Sequence, residues 1–430
     1  MDSIELSKAK FFKGEFSSPP DKSISHRAVI LSSLAKGKSV IKNFLRAEDP
    51  FSTITAFRAL GVEIKDTGDE IIVDGRGIKG IREPDSIIDC GNSGTTMRLL
   101  SGVLSGNPFL SVLTGDESLR QRPMQRVIIP LIQMGAEIMA RANDRYPPIA
   151  IRGKKLKPIQ YTMPVASAQV KSAILLAGLY AAGITEVIEP FQSRDHTERI
   201  LPAFGAEIKV EDLHITIKGD AELHGSEITV PGDFSSAAFF IVGASLIKDS
   251  EIIVREVGIN PTRTGLLRVL QEMGAEIKIS NSRIVSGEPV ADVYCKGGRE
   301  LRAIQIKKEK IPMLIDEFPV LCVAATQAAG TTTIRGAEEL RVKESDRIKA
   351  VATELRKMGA DIEEYEDGLD ITGGKRLTGA VIESYKDHRI AMAMAIAAMI
   401  AEEKTIINDI SSVNISFPGF FGILKKLTKN

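Results

Sequence analysis

The chain has 430 residues, 43% of them apolar and 26% charged, with 56 Lys plus Arg against 56 Asp plus Glu and a formal net charge of zero. That length exceeds one compact core and predicts two domains of roughly 200 residues each. The balanced charge argues against nucleic acid or an anionic membrane as partner, while leaving room for a small anionic ligand at a local basic cluster. Cys90, Cys295 and Cys322 have no metal-ligand spacing and form no disulfide framework, and the start, MDSIELSKAK, lacks the apolar stretch of a signal peptide; both predict a cytoplasmic protein. The longest apolar run, Ile390 to Ala401, has 12 residues, whereas a membrane-spanning helix needs about 20.

In chain order, a strand-like segment, IELSKAKFFKGEF, comes first, followed after Pro19-Pro20 by a helix beginning near Asp21. From there one phrase recurs: LGVEI at Leu60, MGAEI at Met134, FGAEI at Phe204, MGAEI at Met273 and MGADI at Met358. Its glycines, Gly61, Gly135, Gly205, Gly274 and Gly359, lie 74, 70, 69 and 85 residues apart. Each closes a helix-like stretch and opens an alternating apolar–polar run, as a left-handed helix-ending residue before a strand does. A period of about 70 divides the chain into six units. The C-terminal helix-like segment FFGILKKLTKN ends where a sixth phrase is due, so the N-terminal segment is expected to complete that unit. Both termini then lie in one discontinuous domain, 1–18 plus 231–430, with 19–230 inserted and crossings near Ser18 and Val230. The active site is expected in the cleft between them.

Five very apolar stretches follow polar or glycine-rich turns: GNSGTTMRLLSGVL, ASAQVKSAILLAGLYAAG, GDFSSAAFFIVGASL, DEFPVLCVAATQAAG and KDHRIAMAMAIAAMIA. A helix apolar all round is buried, and its first turn offers free backbone N–H groups and a positive dipole end to an anion. The candidate chemistry sits at such starts. Lys22, Ser23 and Arg27 open the first helix, with Ser23 and Arg27 one turn apart. The turn Gly91–Arg98, containing Gly94 and Thr95, reads as an oxyanion nest but lacks the Gly-Lys-Ser/Thr of a nucleotide loop. Arg120, Arg122 and Arg126 crowd a loop broken by Pro123 and suit phosphate or carboxylate. Lys343 and Arg347 are read as sharing a helix face, with Glu344 beside them for proton transfer. Lys386, Asp387, His388 and Arg389 precede the most apolar helix. Asp195 and Glu198 are spaced as a capping box; His214 and His224 are given no role. Each motif alone is equally a capped or solvated turn.

Together these segments resemble the EPSP synthase family of enolpyruvyl transferases along nearly the whole chain, through DKSISHR, GNSGTTMRLLSG, QRPM, ASAQVKSA, PGDFSSA, IDEFPVLCVAA, RVKESDR and DHRIAMA in family order. The resemblance implies an α/β fold of two similar domains, each of three βαβαββ units with buried helices, an inside-out α/β barrel. It implies an addition–elimination that transfers the enolpyruvyl group of phosphoenolpyruvate to shikimate 3-phosphate, in a monomer without cofactor. Lys22, Ser23 and Arg27 then bind substrate, with Lys22 also near the phosphoenolpyruvate phosphate. Arg122 holds phosphate, Ser167 and Gln169 contact substrate, and Ser193 or Arg194 holds the shikimate phosphate. Asp316 accepts the proton of the attacking hydroxyl, and Lys22 or Glu344 is the general acid. Lys343 pairs with Glu344; Arg347 and Arg389 grip the phosphoenolpyruvate carboxylate, with His388 alongside.

The pattern departs from many members at Ala168, where a second serine is usual and Lys171 follows, and at Ile415, where a lysine precedes the C-terminal Phe-Pro. ASAQVKSA and SRDHTE resemble the bacterial subgroup often less sensitive to glyphosate. The closest alternative is a UDP-N-acetylglucosamine enolpyruvyl transferase, typified by Lys-Asn near its start and a cysteine before the arginine loop. Here Lys22-Ser23 stands, with no cysteine between Gly115 and Arg126. A non-catalytic phospho-ligand-binding protein is the other alternative, disfavoured by Asp316 and Glu344, because an anion site has no use for added carboxylates.

Overall fold

The computed structural model describes residues 2–429. The chain divides into two compact units, a terminal one of residues 2–19, Gly232–Arg283 and 289–429, and an inserted one of Pro20–Pro231 with Ile284–Glu288. The last five residues are the tip of the hairpin between the strands Glu276–Val285 and Glu288–Lys296, a chain excursion that the repeat does not announce.

Six sheets share one plan. In the inserted unit, Lys36–Lys42 lies between a parallel edge strand, Glu227–Thr229, and antiparallel Glu70–Arg76, with Glu63–Asp66 beyond. Leu110–Thr114 is flanked in the same way by Ile88–Asp89 and Tyr146–Arg152, and Ile184–Ile188 by Gln160–Thr162 and His214–Lys218. In the terminal unit the plan recurs around Glu251–Gly258, Thr331–Ile334 and Thr405–Asn408. The N-terminal segment is split: Ser3–Leu6 pairs antiparallel with Thr405–Asn408 and fills out the sixth sheet, whereas Lys13–Ser17 is the parallel edge of the fourth.

Each sheet is associated with one buried helix: Lys22–Leu34, Gly94–Ser105 and Ala168–Gly178 in the inserted unit, Phe234–Leu246, Phe318–Thr326 and His388–Ile400 in the terminal one. Each unit closes on its own apolar core, and most residues of each of these helices are buried. Close approach requires small residues: a Cβ on Gly102 would lie 2.2 Å from the carbonyl oxygen of Ala173 on the neighbouring helix. Side chains of Asp21, Ser93, Ser167, Asp233 and Asp387 cap five of the six by accepting from first-turn backbone N–H groups, as buried helix starts require. The five repeat glycines all have positive φ, from +83° at Gly61 to +109° at Gly135, which glycine alone adopts without steric cost. No helix among the described residues is long and apolar enough to cross a membrane.

Two local expectations are corrected. Lys343 and Arg347 share no helix: a 3-10 helix spans Glu338–Val342, Lys343 is extended, and the following helix begins at Arg347. The Asp346 side chain accepts from Lys349 N at 3.0 Å and so fixes the helix start after Lys343. Asp195 and Glu198 form no capping box either. Asp195 binds Arg199 Nε at 2.8 Å, and Glu198 turns inward to Lys171 at 2.6 Å, an ion pair that a dry interior favours over a cap bond.

Candidate active site

In the inserted unit, three helix starts carry the expected side chains. Asp21 accepts from Ile24 N at 2.9 Å and sets the turn from which Lys22 projects; Lys22 Nζ reaches Asp49 Oδ2 at 3.0 Å. One turn on, His26 Nδ1 meets Thr53 Oγ1 at 2.6 Å. Thr53 continues to Thr96 at 2.7 Å, and Thr96 to the cap residue Ser93 at 2.8 Å. A buried chain of hydrogen bonds thus ties the Lys22 helix to the glycine-rich turn before Gly94. Burial, reinforced by Lys22 and Arg27, holds His26 well below the ordinary histidine range, so the ring is neutral at pH 7.

That turn is a cradle. Gln169 donates through Nε2 to Thr95 Oγ1 at 2.9 Å and accepts at Oε1 from Arg98 Nη1 at 2.6 Å. Arg122 Nη2 donates to Asn92 Oδ1 at 2.7 Å, and Asn92 is held by Asp116 at 2.6 Å. A Cβ on Gly94 would sit 3.1 Å from Arg98 Nη1 and 3.3 Å from Arg122 Nη1, so the bare backbone lets both guanidinium groups lie close beside the helix start. Arg27 lies on the Lys22 helix, its guanidinium bonded to Thr197, Ser172 and the Ser23 carbonyl. Burial draws its pKa down to about 10, opposed first by Glu198. Ser167 caps the Ala168–Gly178 helix through Val170 N. Ser193 is buried and donates to Glu189, while its neighbour Arg194 is half-buried.

In the terminal unit, Asp316 is the focus. Its carboxylate lies 3.3 Å from Arg389 Nη2, 3.6 Å from Arg347 Nη1 and 3.9 Å from Arg263 Nη1. Arg389 also donates through Nη1 to the Asp316 carbonyl at 2.8 Å. Arg347 is 1% exposed and faces two further carboxylates, Asp387 at 2.8 Å and Glu344 at 2.6 Å. Burial by itself lowers its pKa, but Asp387 and Glu344 reverse that and raise it above the ordinary arginine value. Burial also opposes ionisation of Asp387, yet Arg347 wins and holds its carboxyl below the usual range. Asp387 caps the His388–Ile400 helix and receives Ser345 Oγ at 3.0 Å, so His388 and Arg389 are fixed at the helix start. Burial draws Lys343 down to about 8, chiefly against the attraction of Asp316.

Several participants carry no signal of their own in the sequence: Asp49, Arg98, Lys171, Glu189, Asp233, Arg263 and Glu317. Arg263 bonds Asp233 at 3.0 Å and Ser235 at 2.7 Å, and Ser235 in turn donates to buried Glu317. Arg98, Lys171, Asp233 and Glu317 stood inside quoted motifs without being singled out for a role, whereas Asp49, Glu189 and Arg263 stood in none. Ile415 ends the 3-10 helix Ile410–Ile415 and is half-buried. His214 is exposed and pairs with Glu186. Among the described residues no group of three or more His, Cys, Asp or Glu is arranged to hold a metal ion. Burial raises the pKa of all three cysteines, Cys295 to about 12.

Each unit thus carries helix starts and guanidinium groups of the kind that suit anions, and the terminal one adds carboxylates and a lysine of lowered pKa. Known proteins show which family the chain resembles. The family profile for EPSP synthase (3-phosphoshikimate 1-carboxyvinyltransferase) matches residues 6–424. A 3-phosphoshikimate 1-carboxyvinyltransferase of Thermodesulfovibrio yellowstonii is 57% identical over 426 residues, covering 99% of each chain. One of Syntrophomonas wolfei is 55% identical, covering 97% of this chain and 98% of its own. Among solved structures, an EPSP synthase from Acinetobacter baumannii superposes with a TM-score of 0.88 at 46% identity, over 99% of this chain and 98% of that one. The enolpyruvyl transferase NikO from Streptomyces tendae shares the fold, with a TM-score of 0.81 at 17% identity over 98% and 96%. The chain belongs to the EPSP synthase family.

Proposed function

We propose that the chain transfers the enolpyruvyl group of phosphoenolpyruvate to the 5-hydroxyl of shikimate 3-phosphate, releasing phosphate, and that residues of both units serve this one reaction. The observation that carries the reading is the union of anion-holding helix starts with Asp316 and Glu344 in a chain whose 50–57% identical relatives are named for this activity. On this reading the protein serves aromatic amino-acid biosynthesis and acts as a cytoplasmic monomer.

In the mechanism, Lys22 or Glu344 protonates the methylene carbon of phosphoenolpyruvate. The shikimate hydroxyl oxygen attacks the adjacent carbon and passes its proton to Asp316. In the tetrahedral ketal so formed, the bond to the phosphate oxygen breaks and the new methyl group returns a proton to the group that protonated it, Lys22 or Glu344, restoring the double bond as an enol ether. Phosphate leaves with its charge met by Lys22, Arg98 and Arg122, all fixed beforehand, so little reorganisation accompanies the step. Arg389 and Lys343 serve the phosphoenolpyruvate carboxylate. Arg347, already facing three carboxylates, shares its charge with them and orders Glu344 and Asp387 as well as binding substrate. Arg27, Ser23, Ser167 and Ser193 or Arg194 serve shikimate 3-phosphate.

Phosphate release from phosphoenolpyruvate tests the reading: it is expected with shikimate 3-phosphate and absent with UDP-N-acetylglucosamine. Equal release with both acceptors, or none with either, defeats it. Sedimentation velocity at assay concentrations tests the monomer.

A further inference from the structure

A buried ion cluster beside Arg27 takes no part in the chemistry above. Lys171 is 1% exposed, and its Nζ lies 2.7 Å from Glu189 and 2.6 Å from Glu198, side chains that are 2% and 4% exposed. Ser193 Oγ donates to Glu189 in a short hydrogen bond. Two carboxyl groups about one ammonium are costly to bury, and burial pushes the Glu198 carboxyl above its ordinary range. Such a cluster is a poor device for stability, since apolar residues of equal volume often serve as well or better. Its value must lie in what it fixes.

Three elements meet at Lys171: its own helix, Ala168–Gly178; Glu189, next after the strand Ile184–Ile188; and Glu198 on the helix His196–Ile200. The adjacent residues on the two helices, Ser172 and Thr197, bring their hydroxyls within 2.7 Å of each other. Those hydroxyls accept from Arg27: Thr197 from Nε at 2.7 Å and Ser172 from Nη2 at 2.8 Å, while Nη1 donates to the Ser23 carbonyl at 3.0 Å. All three acceptors are neutral. A guanidinium has five N–H donors, so Arg27 keeps N–H groups for an anion, and none of these three bonds offsets its charge. Arg347, by contrast, is bonded directly to carboxylates. Glu198 still acts on Arg27 through space, as the strongest charge favouring its protonated form.

We propose that Lys171 is a positioning residue for Arg27: by pairing with Glu189 and Glu198 it locks two helices in the register that sets the Ser172 and Thr197 hydroxyls under the guanidinium. The functional weight of this lock rests on the reading of Arg27 as a shikimate 3-phosphate ligand; the geometry it controls does not.

Two readouts test it on the full-length chain. The first needs no substrate. The Arg27 Nε–H, buried and bonded to Thr197, is expected to give a slowly exchanging signal in spectra of protein labelled with 15N-arginine, assigned by its loss in Arg27→Lys. Lys171→Met is expected to broaden or abolish that signal. An unchanged signal overturns the proposal, whatever happens to stability. The second is kinetic. Lys171→Met is expected to raise KM for shikimate 3-phosphate by about tenfold, the scale of a lost hydrogen bond to a charged group, with kcat and the KM for phosphoenolpyruvate nearly unchanged. In the Arg27→Lys background the same substitution is expected to add almost nothing, because a residue acting only through Arg27 has nothing left to act on. Undiminished effects in both backgrounds overturn the proposal.

Should Lys171→Met not fold, Ser172→Ala and Glu198→Gln carry the test. The first removes one hydroxyl and leaves the cluster intact; the second keeps its shape and removes the carboxyl that faces Lys171. Either is expected to shift the Arg27 signal and raise the same KM, and invariance of both readouts in both variants overturns the proposal. If the wild-type chain shows no turnover with shikimate 3-phosphate while the signal responds as described, the positioning role stands and the substrate reading falls.

Discussion

Arg389 holds Asp316 twice: Nη1 donates to its carbonyl at 2.8 Å and Nη2 lies 3.3 Å from its carboxylate. One guanidinium therefore fixes both the backbone and the side chain of the residue assigned to accept the hydroxyl proton. A lysine carries the same charge but cannot make this two-pronged contact. Arg389→Lys is expected to raise KM for phosphoenolpyruvate by about tenfold and to lower kcat as well, since Asp316 is released. Steady-state kinetics with each substrate varied in turn checks this; a change in KM alone would separate Arg389 from Asp316.

Lys343 supplies a pH dependence. Burial sets its pKa near 8, so it is charged below that pH and neutral above it. Anion binding needs the charged form. If Lys343 serves phosphoenolpyruvate, affinity for it is expected to be full well below pH 8 and to fall as pH rises above 8, with proton uptake on binding as it falls. Calorimetry in buffers of different ionisation enthalpy measures the uptake. Lys343→Met is expected to bind weakly and to show no such uptake.

Glu344 is placed against Arg347 at 2.6 Å and remains partly open to solvent. If it moves a proton, Glu344→Gln leaves substrate affinity within a few-fold and lowers kcat by roughly a hundredfold, the scale of general acid–base catalysis. Lost affinity with unchanged turnover at saturation would make Glu344 a partner of Arg347 and nothing more.

Stability of the terminal unit rests on an aromatic cluster. Phe240 is 0% exposed and its ring lies 4.8 Å from Phe16, 5.2 Å from Phe420 and 6.0 Å from Phe417. Truncation leaves a void that the packed rings cannot close. Phe240→Ala is expected to destabilise the unit by about 3–5 kcal/mol, seen as a lower denaturant midpoint. A loss well under 1 kcal/mol would mean that the cluster repacks.

The sequence by itself determined what is local. A helix that ends in a left-handed residue needs positive φ there, and only glycine takes that conformation freely, so five glycines at near-constant spacing announced the repeated unit. Helices apolar on every side had to be buried, and polar residues before them had to satisfy the first-turn N–H groups; Asp21, Ser93, Ser167, Asp233 and Asp387 do so. Counting units led to the expectation of both termini in one domain, but nothing local announced the split of the N-terminal segment into strands of two different sheets.

The tertiary structure alone decided the pairing of charges. Arg347 and Asp387 are 40 residues apart in the chain, and Arg27 and Ser172 are 145 apart; nothing in local spacing specifies such partners. Where spacing did suggest a pairing, it misled. Lys343 and Arg347 stand four apart but on either side of a helix start set by Asp346. Asp195 and Glu198 have the spacing of a capping box, yet Glu198 serves Lys171. The physical reason is common to both. Caps and helix ends are governed by backbone groups a few residues away, whereas a buried charge must find its opposite wherever the fold brings one, because leaving it unpaired in a dry core costs more than any local hydrogen bond returns.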